Sequence, residues 1–119
     1  DKFCRWDATS DKYLAELKCR RAHYNTQMIE YDKLDCVKEE ADKTGKEFLY
    51  CVSTPKGIYV FNISKLCQSN YEFHWENKYL PSNTDFAGTH RKSKKVGYID
   101  VNDSMSVAHL AHTEPAPQD

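Results

Sequence analysis

The sequence predicts an α+β domain in which an N-terminal helix packs on one face of an antiparallel sheet. Three observations carry this expectation. Apolar residues recur every three or four positions over residues 11–26, the period of a helix face. The chain then changes character at Gly45, beyond which aromatic and β-branched residues gather in short runs. Finally, 119 residues are the size of one domain, since domains commonly run to about 100–150.

Thr9 and Ser10 supply N-cap oxygens, and Asp11 suits the positive end of a helix dipole. Tyr13, Leu14, Leu17, Arg21, Tyr24 and Met28 then form one stripe, so a helix is expected over 11–26. Leu34, Val37 and Ala41 mark a second, weaker stripe in the charged run DKLDCVKEEADK, a solvated helix face. Gly45 stops it, because only glycine enters the left-handed conformation cheaply.

KEFLYCVS reads as a strand and TPKG as the turn that follows. In GIYVFNIS, Ile58, Val60 and Asn62 share one face, while Tyr59, Phe61 and Ile63 share the other. Apolar groups on both faces predict a central strand covered on each side. YEFHWENKYL is a weaker strand, ended by the turn-rich PSNTDFAG. KVGYIDV, the turn NDS and MSVAHLAH read as a hairpin. Residues 1–113 form the expected single domain, with 114–119, EPAPQD, as a flexible C-terminal tail.

Lys and Arg number 17 against 18 Asp and Glu, for a net charge of −1. That excludes a uniformly basic nucleic-acid binder. An aromatic content of 13% opposes disorder. No apolar run approaches the ~20 residues of a membrane-spanning helix, so no membrane partner is expected. The opening Asp1 leads us to expect a mature, trimmed product.

Cys4, Cys19, Cys36, Cys51 and Cys67 contain no Cys-x-x-Cys pair, so neither a metal site nor a thioredoxin-type motif is expected. Either the protein is secreted with one or two disulfides and a leftover thiol, or it is cytosolic with five thiols. Two Asn-x-Ser sequons begin at Asn62 and Asn102, the first in the expected central strand and so shielded.

Histidine is the natural proton carrier near neutral pH. His109 and His112 are three apart and point to opposite faces of a regular strand. His74 lies between Phe73 and Trp75, His23 on the expected first helix, and His90 in a loop. The segment 90–95, HRKSKK, concentrates Arg91, Lys92, Lys94 and Lys95. Such a cluster either neutralises RNA phosphates, with Tyr79, Phe86 and Tyr98 stacking on bases, or is a solvated loop. No glycine-rich phosphate loop, nucleophile elbow or zinc helix is present.

The motifs GKEF (45–48), YVFNI (59–63), KKVGY (94–98) and LAHT (110–113) follow one another in an order that resembles small secreted fungal ribonucleases cleaving after guanine. That resemblance implies a curved antiparallel sheet carrying the site. His112 would be the acid, Lys95 would replace the arginine, Lys46 the first histidine and Val60 the glutamate base. Base and acid are each worth about 10²–10⁴-fold, so loss of the base implies a pseudo-ribonuclease that needs no cofactor.

Phe3-Cys4-Arg5 also resembles the aromatic-x-cysteine start of ribonuclease-like effectors of powdery mildew fungi. This implies a secreted virulence or avirulence protein that enters the host cytoplasm, binds host plant protein or RNA as a monomer, and meets an intracellular immune receptor. Segment 68–95 and the helix would form its key surface. In those effectors the N-terminal cysteine bonds one near the C-terminus; here Cys67 is the last cysteine, so Cys4–Cys67 is the implied pair. An active ribonuclease using His109 or His74, a non-cleaving RNA-binding module, and a structural or toxin-inhibitor protein are the alternatives.

Overall fold

The computed structural model describes residues 4–81 and 91–105, as strands β1 (Ala8–Thr9), β2 (Tyr13–Cys19), β3 (Thr26–Glu30), β4 (Glu47–Thr54), β5 (Gly57–Asn62), β6 (Glu76–Pro81) and β7 (Arg91–Asp100), with helices α1 (Tyr31–Lys43) and α2 (Ile63–Gln68). The fold is α+β, and it contains two sheets. One is mixed, in the order β1-β2-β4-β5, and the other is antiparallel, in the order β3-β7-β6.

The expected N-terminal helix over 11–26 is two strands and a connection. β2 runs parallel to β4 along all 7 of its residues. A parallel pair needs a crossover, and β3 with α1 supplies it. Leu14 turns into the core, whereas Leu17 and Tyr24 are 54% and 66% exposed. The apparent helical stripe therefore never becomes a buried face. Pairing along a whole strand with a buried neighbour outweighs a propensity worth tenths of a kcal/mol per residue.

α1 forms as the sequence predicts, with Leu34, Val37 and Ala41 buried against the sheets. Its end is a Schellman closure. Gly45, at φ +70°, donates to the Asp42 carbonyl, and Lys46 donates to that of Ala41 at 2.8 Å.

β4 alternates cleanly, turning Phe48, Tyr50 and Val52 into the core beside Phe61 of β5. β5 was expected to be central, yet it is the edge of its sheet, and Ile58 is 51% exposed. Its pairing with β4 buries Val60 and Phe61 but leaves the start of the strand open. The expected strand over 71–80 begins only at Glu76, while NDS is a 3-10 turn over Val101–Asp103. The expected last strand lies, apart from Met105, outside the described residues, as does the 114–119 tail.

One disulfide is present, Cys4–Cys36, with Cα atoms 5.6 Å apart. It ties the N-terminal segment to α1 and corrects the implied Cys4–Cys67 pair. Cys67 sits half-buried on α2, and its thiol is free. Burial pushes the Cys67 thiol upward, partly opposed by Lys38. Cys19 and Cys51 are also free.

Candidate nucleic-acid groove along β3

The sequence ELKCR, residues 16–20, alternates charged and apolar side chains. As a strand it sends Glu16 toward Lys33 of α1, 3.5 Å away, and turns Lys18 and Arg20 to the same side. Leu17 and Cys19 face out. β3, the edge strand of the second sheet, lies across from these groups. The carbonyl of Met28 accepts from Arg20 Nη2 at 3.1 Å and from the Tyr50 hydroxyl at 2.9 Å. These bonds lace the two sheets together.

The resulting groove has two sections that share Arg20 and Met28. The first, about 390 Å³, is lined by Arg20, Tyr24, Thr26, Lys78 and Tyr98 among others. The second holds Glu16, Lys18, Glu30 and Tyr50. A larger hollow of about 620 Å³ lies beside α1, where Glu30, Asp32, Asp35 and Glu39 outnumber Lys33 and Lys94, and both lysines are already paired with carboxylates, which disfavours an anion there.

Strand register places Lys78 directly opposite Lys94 on the groove side. Like charges so paired repel. Glu30 answers Lys94 at 3.1 Å. Tyr98 donates its hydroxyl to Glu76 at 2.6 Å, and Lys78 Nζ stands 5.9 Å from the Tyr98 ring centre. The bond to Glu76 and burial push the Tyr98 hydroxyl up. Burial also pushes the Tyr50 hydroxyl up, opposed by Arg20. Glu16 is raised by burial against the pull of Lys33. Among the described residues neither Arg20 nor Lys78 has a carboxylate partner.

Of the basic cluster and its aromatic neighbour, Tyr98 lines this groove, while Lys94, on the same face of β7, pairs with Glu30 and lines the hollow beside α1. Alternation along β7 sends Lys95 to the opposite face, where its ammonium lies 4.3 Å from the Tyr31 ring centre and 5.9 Å from that of Trp75. Arg91 and Lys92 open β7, in register with Pro81 and Leu80. The positions carried over from ribonucleases fall on separate elements. Lys46 follows α1 and donates to the carbonyls of Ser10 and Asp11, Val60 is in β5 of the mixed sheet, and Lys95 is in the other sheet.

His112 lies outside the described residues, with His90, His109 and Phe86. His23 Nδ1 is 3.0 Å from the Thr54 hydroxyl, and exposed His74 is 3.8 Å from Glu72. Tyr79 is 70% exposed on the face of the sheet away from the groove. Asn62 of the first sequon caps α2 through the Lys65 amide and also donates to Glu47. Among the described residues no group of three His, Cys, Asp or Glu is placed to hold a metal ion, and no helix is long and apolar enough to cross a membrane.

Arg20 and Lys78 were not singled out from sequence. The strict alternation of ELKCR was the available signal, masked by the coincident helical stripe.

No family model and no curated protein matches the chain. Among solved structures the chain is similar to Hjc of Archaeoglobus fulgidus, a Holliday junction resolvase from an archaeal hyperthermophile, at 13% identity and a TM-score of 0.47. The match covers 84% of this chain and 64% of that one, so the chain spans less than two thirds of its neighbour's length. Strands occupy the segment where the fungal ribonuclease scaffold places its helix. The resemblance to fungal ribonucleases and to mildew effectors is therefore corrected. Its short motifs recur on a different topology, and the plant-host setting it implied goes no further.

Proposed function

We propose that the chain is a non-catalytic binding domain that holds single-stranded RNA in the groove along β3. The observation that carries this reading is the pairing of Arg20 and Lys78, two cations without a carboxylate partner among the described residues, with Tyr24 and Tyr98 in one groove. Cations neutralise phosphates, and tyrosine rings offer stacking surfaces to any base. The groove's volume lies within the range of small-ligand sites, so it takes one nucleotide while the strand continues along the open face. Glu30 and Glu76 are engaged by Lys94 and Tyr98, which favours binding over proton transfer to a ribose hydroxyl. The Cys4–Cys36 bond favours an oxidising, secretory route.

Fluorescence anisotropy with a short labelled single-stranded RNA, titrated across a salt series, tests the reading. Each neutralised phosphate contributes a slope of about −0.7 to log K against log salt, so two cations give about −1.4. Lys78→Glu is expected to weaken binding and flatten the slope, whereas Lys56→Glu, in the β4–β5 turn, leaves both unchanged. The RNA stays intact on a denaturing gel. Absence of salt-dependent binding overturns the RNA reading and leaves a protein partner; shortened RNA overturns the non-catalytic part.

A further inference from the structure

We infer that Tyr50 is a positioning residue for Arg20, and that this buried hydroxyl sets how well the groove grips a phosphate; the inference rests on the RNA-binding reading above. Arg20 Nη2 stands 3.1 Å from the Met28 carbonyl and 3.3 Å from the Tyr50 hydroxyl, and that hydroxyl donates to the same carbonyl at 2.9 Å. The three groups come from β3, β4 and the residue that follows β2, and they form a closed triangle at the junction of the two groove sections. Two acceptors thereby hold Nη2.

A guanidinium carries five N–H donors, so Nη1 and Nε remain for a ligand. A freely rotating arginine would have to be ordered on binding, at a cost in affinity; one already held by two acceptors has been ordered in advance. Tyr50 is only 4% exposed where it lines the second section, and its hydroxyl is committed to Arg20 and the Met28 carbonyl, so that hydroxyl acts through Arg20. Lysine cannot replace this arrangement. Its single nitrogen, if placed on the Met28 carbonyl, offers no second nitrogen to the groove.

A double-mutant cycle tests the inference, with a labelled short oligouridylate as probe at fixed salt. Arg20→Lys and Tyr50→Phe are each expected to raise Kd about tenfold, the scale of one hydrogen bond to a charged group. Together they also raise it about tenfold, because both remove the same held guanidinium. In an Arg20→Gln background, Tyr50→Phe shifts Kd by less than about twofold, the scatter of independent sites.

A purely structural Tyr50 predicts multiplied losses near a hundredfold and a persistent effect in the Arg20→Gln background, and either result overturns the inference alone. If Tyr50→Phe fails to fold, Arg20→Lys still decides, since full-strength binding by that variant overturns it. If the unaltered protein binds no oligouridylate, the RNA reading and this inference fall together.

Discussion

Gly97 sits in the middle of β7 with Trp75 lying across it. A Cβ added there would stand 2.7 and 2.8 Å from two ring carbons of Trp75 and 2.9 Å from the Phe73 Cβ. The indole has little freedom to retreat. It stacks on Phe73 with ring centres 5.1 Å apart and meets the edge of Tyr31, also at 5.1 Å. Phe73 is itself pinned, since its carbonyl accepts from the Tyr98 amide at 2.7 Å.

In an open strand, Gly→Ala would stabilise by about 0.5–1 kcal/mol through the unfolded chain. Overpacking here costs about 1–3 kcal/mol. The clash wins, and Gly97→Ala is expected to destabilise by roughly 1–2 kcal/mol, or about 4–10 °C in Tm for a domain of this size. Thermal unfolding followed by far-UV circular dichroism and tryptophan fluorescence reads this out. In a Trp75→Leu background the same alanine is expected to be neutral or stabilising. A Gly97→Ala protein that melts at or above the parent temperature refutes the packing argument.

Removing the disulfide by Cys36→Ser opens a loop with a sequence separation of 32 and is expected to cost about 3–4 kcal/mol by loop-closure entropy, seen as a lower urea midpoint. Gly45→Ala places a Cβ at φ +70° and should cost about 1 kcal/mol, measured the same way. Glu16 supplies a pH test. Burial raises its carboxyl in the folded state, so folding favours the protonated form. Its contribution to stability therefore grows as pH falls through that raised value and is smallest at neutral pH. Glu16→Gln is expected to raise stability at neutral pH and remove the acid-side gain; an unchanged pH profile of the urea midpoint would count against it.

The legible parts of the fold share one property: a single stretch of chain contains the whole signal. α1 shows its buried stripe at Leu34, Val37 and Ala41 within its own turns, and Gly45 closes it locally. The turn between β4 and β5 likewise carries its own glycine, at φ +141°. Residues 11–30 misled because their partner is distant. β2 becomes a strand by lying parallel to β4, more than thirty positions away, and nothing inside the segment records that neighbour. The site divides in the same way. Lys94 and Tyr98 were visible as part of a basic, aromatic stretch, yet alternation along β7 removed Lys95 from their face. Arg20 joined them only through the Met28 carbonyl and Tyr50.

Short-range chemistry alone thus settles an α+β chain of near-neutral charge, the helix 31–43 with its glycine stop, the β4–β5 hairpin and the second half of β7, whose first half, Arg91–Lys94, reads as loop. Long-range pairing decides the rest: that the first strong pattern is strand, that the sheet is mixed, that Cys4 meets Cys36, and that a groove opens along β3. The reason is physical. A helix closes its hydrogen bonds within one turn, whereas a strand takes its partner, and with it the face each side chain presents, from elsewhere in the molecule.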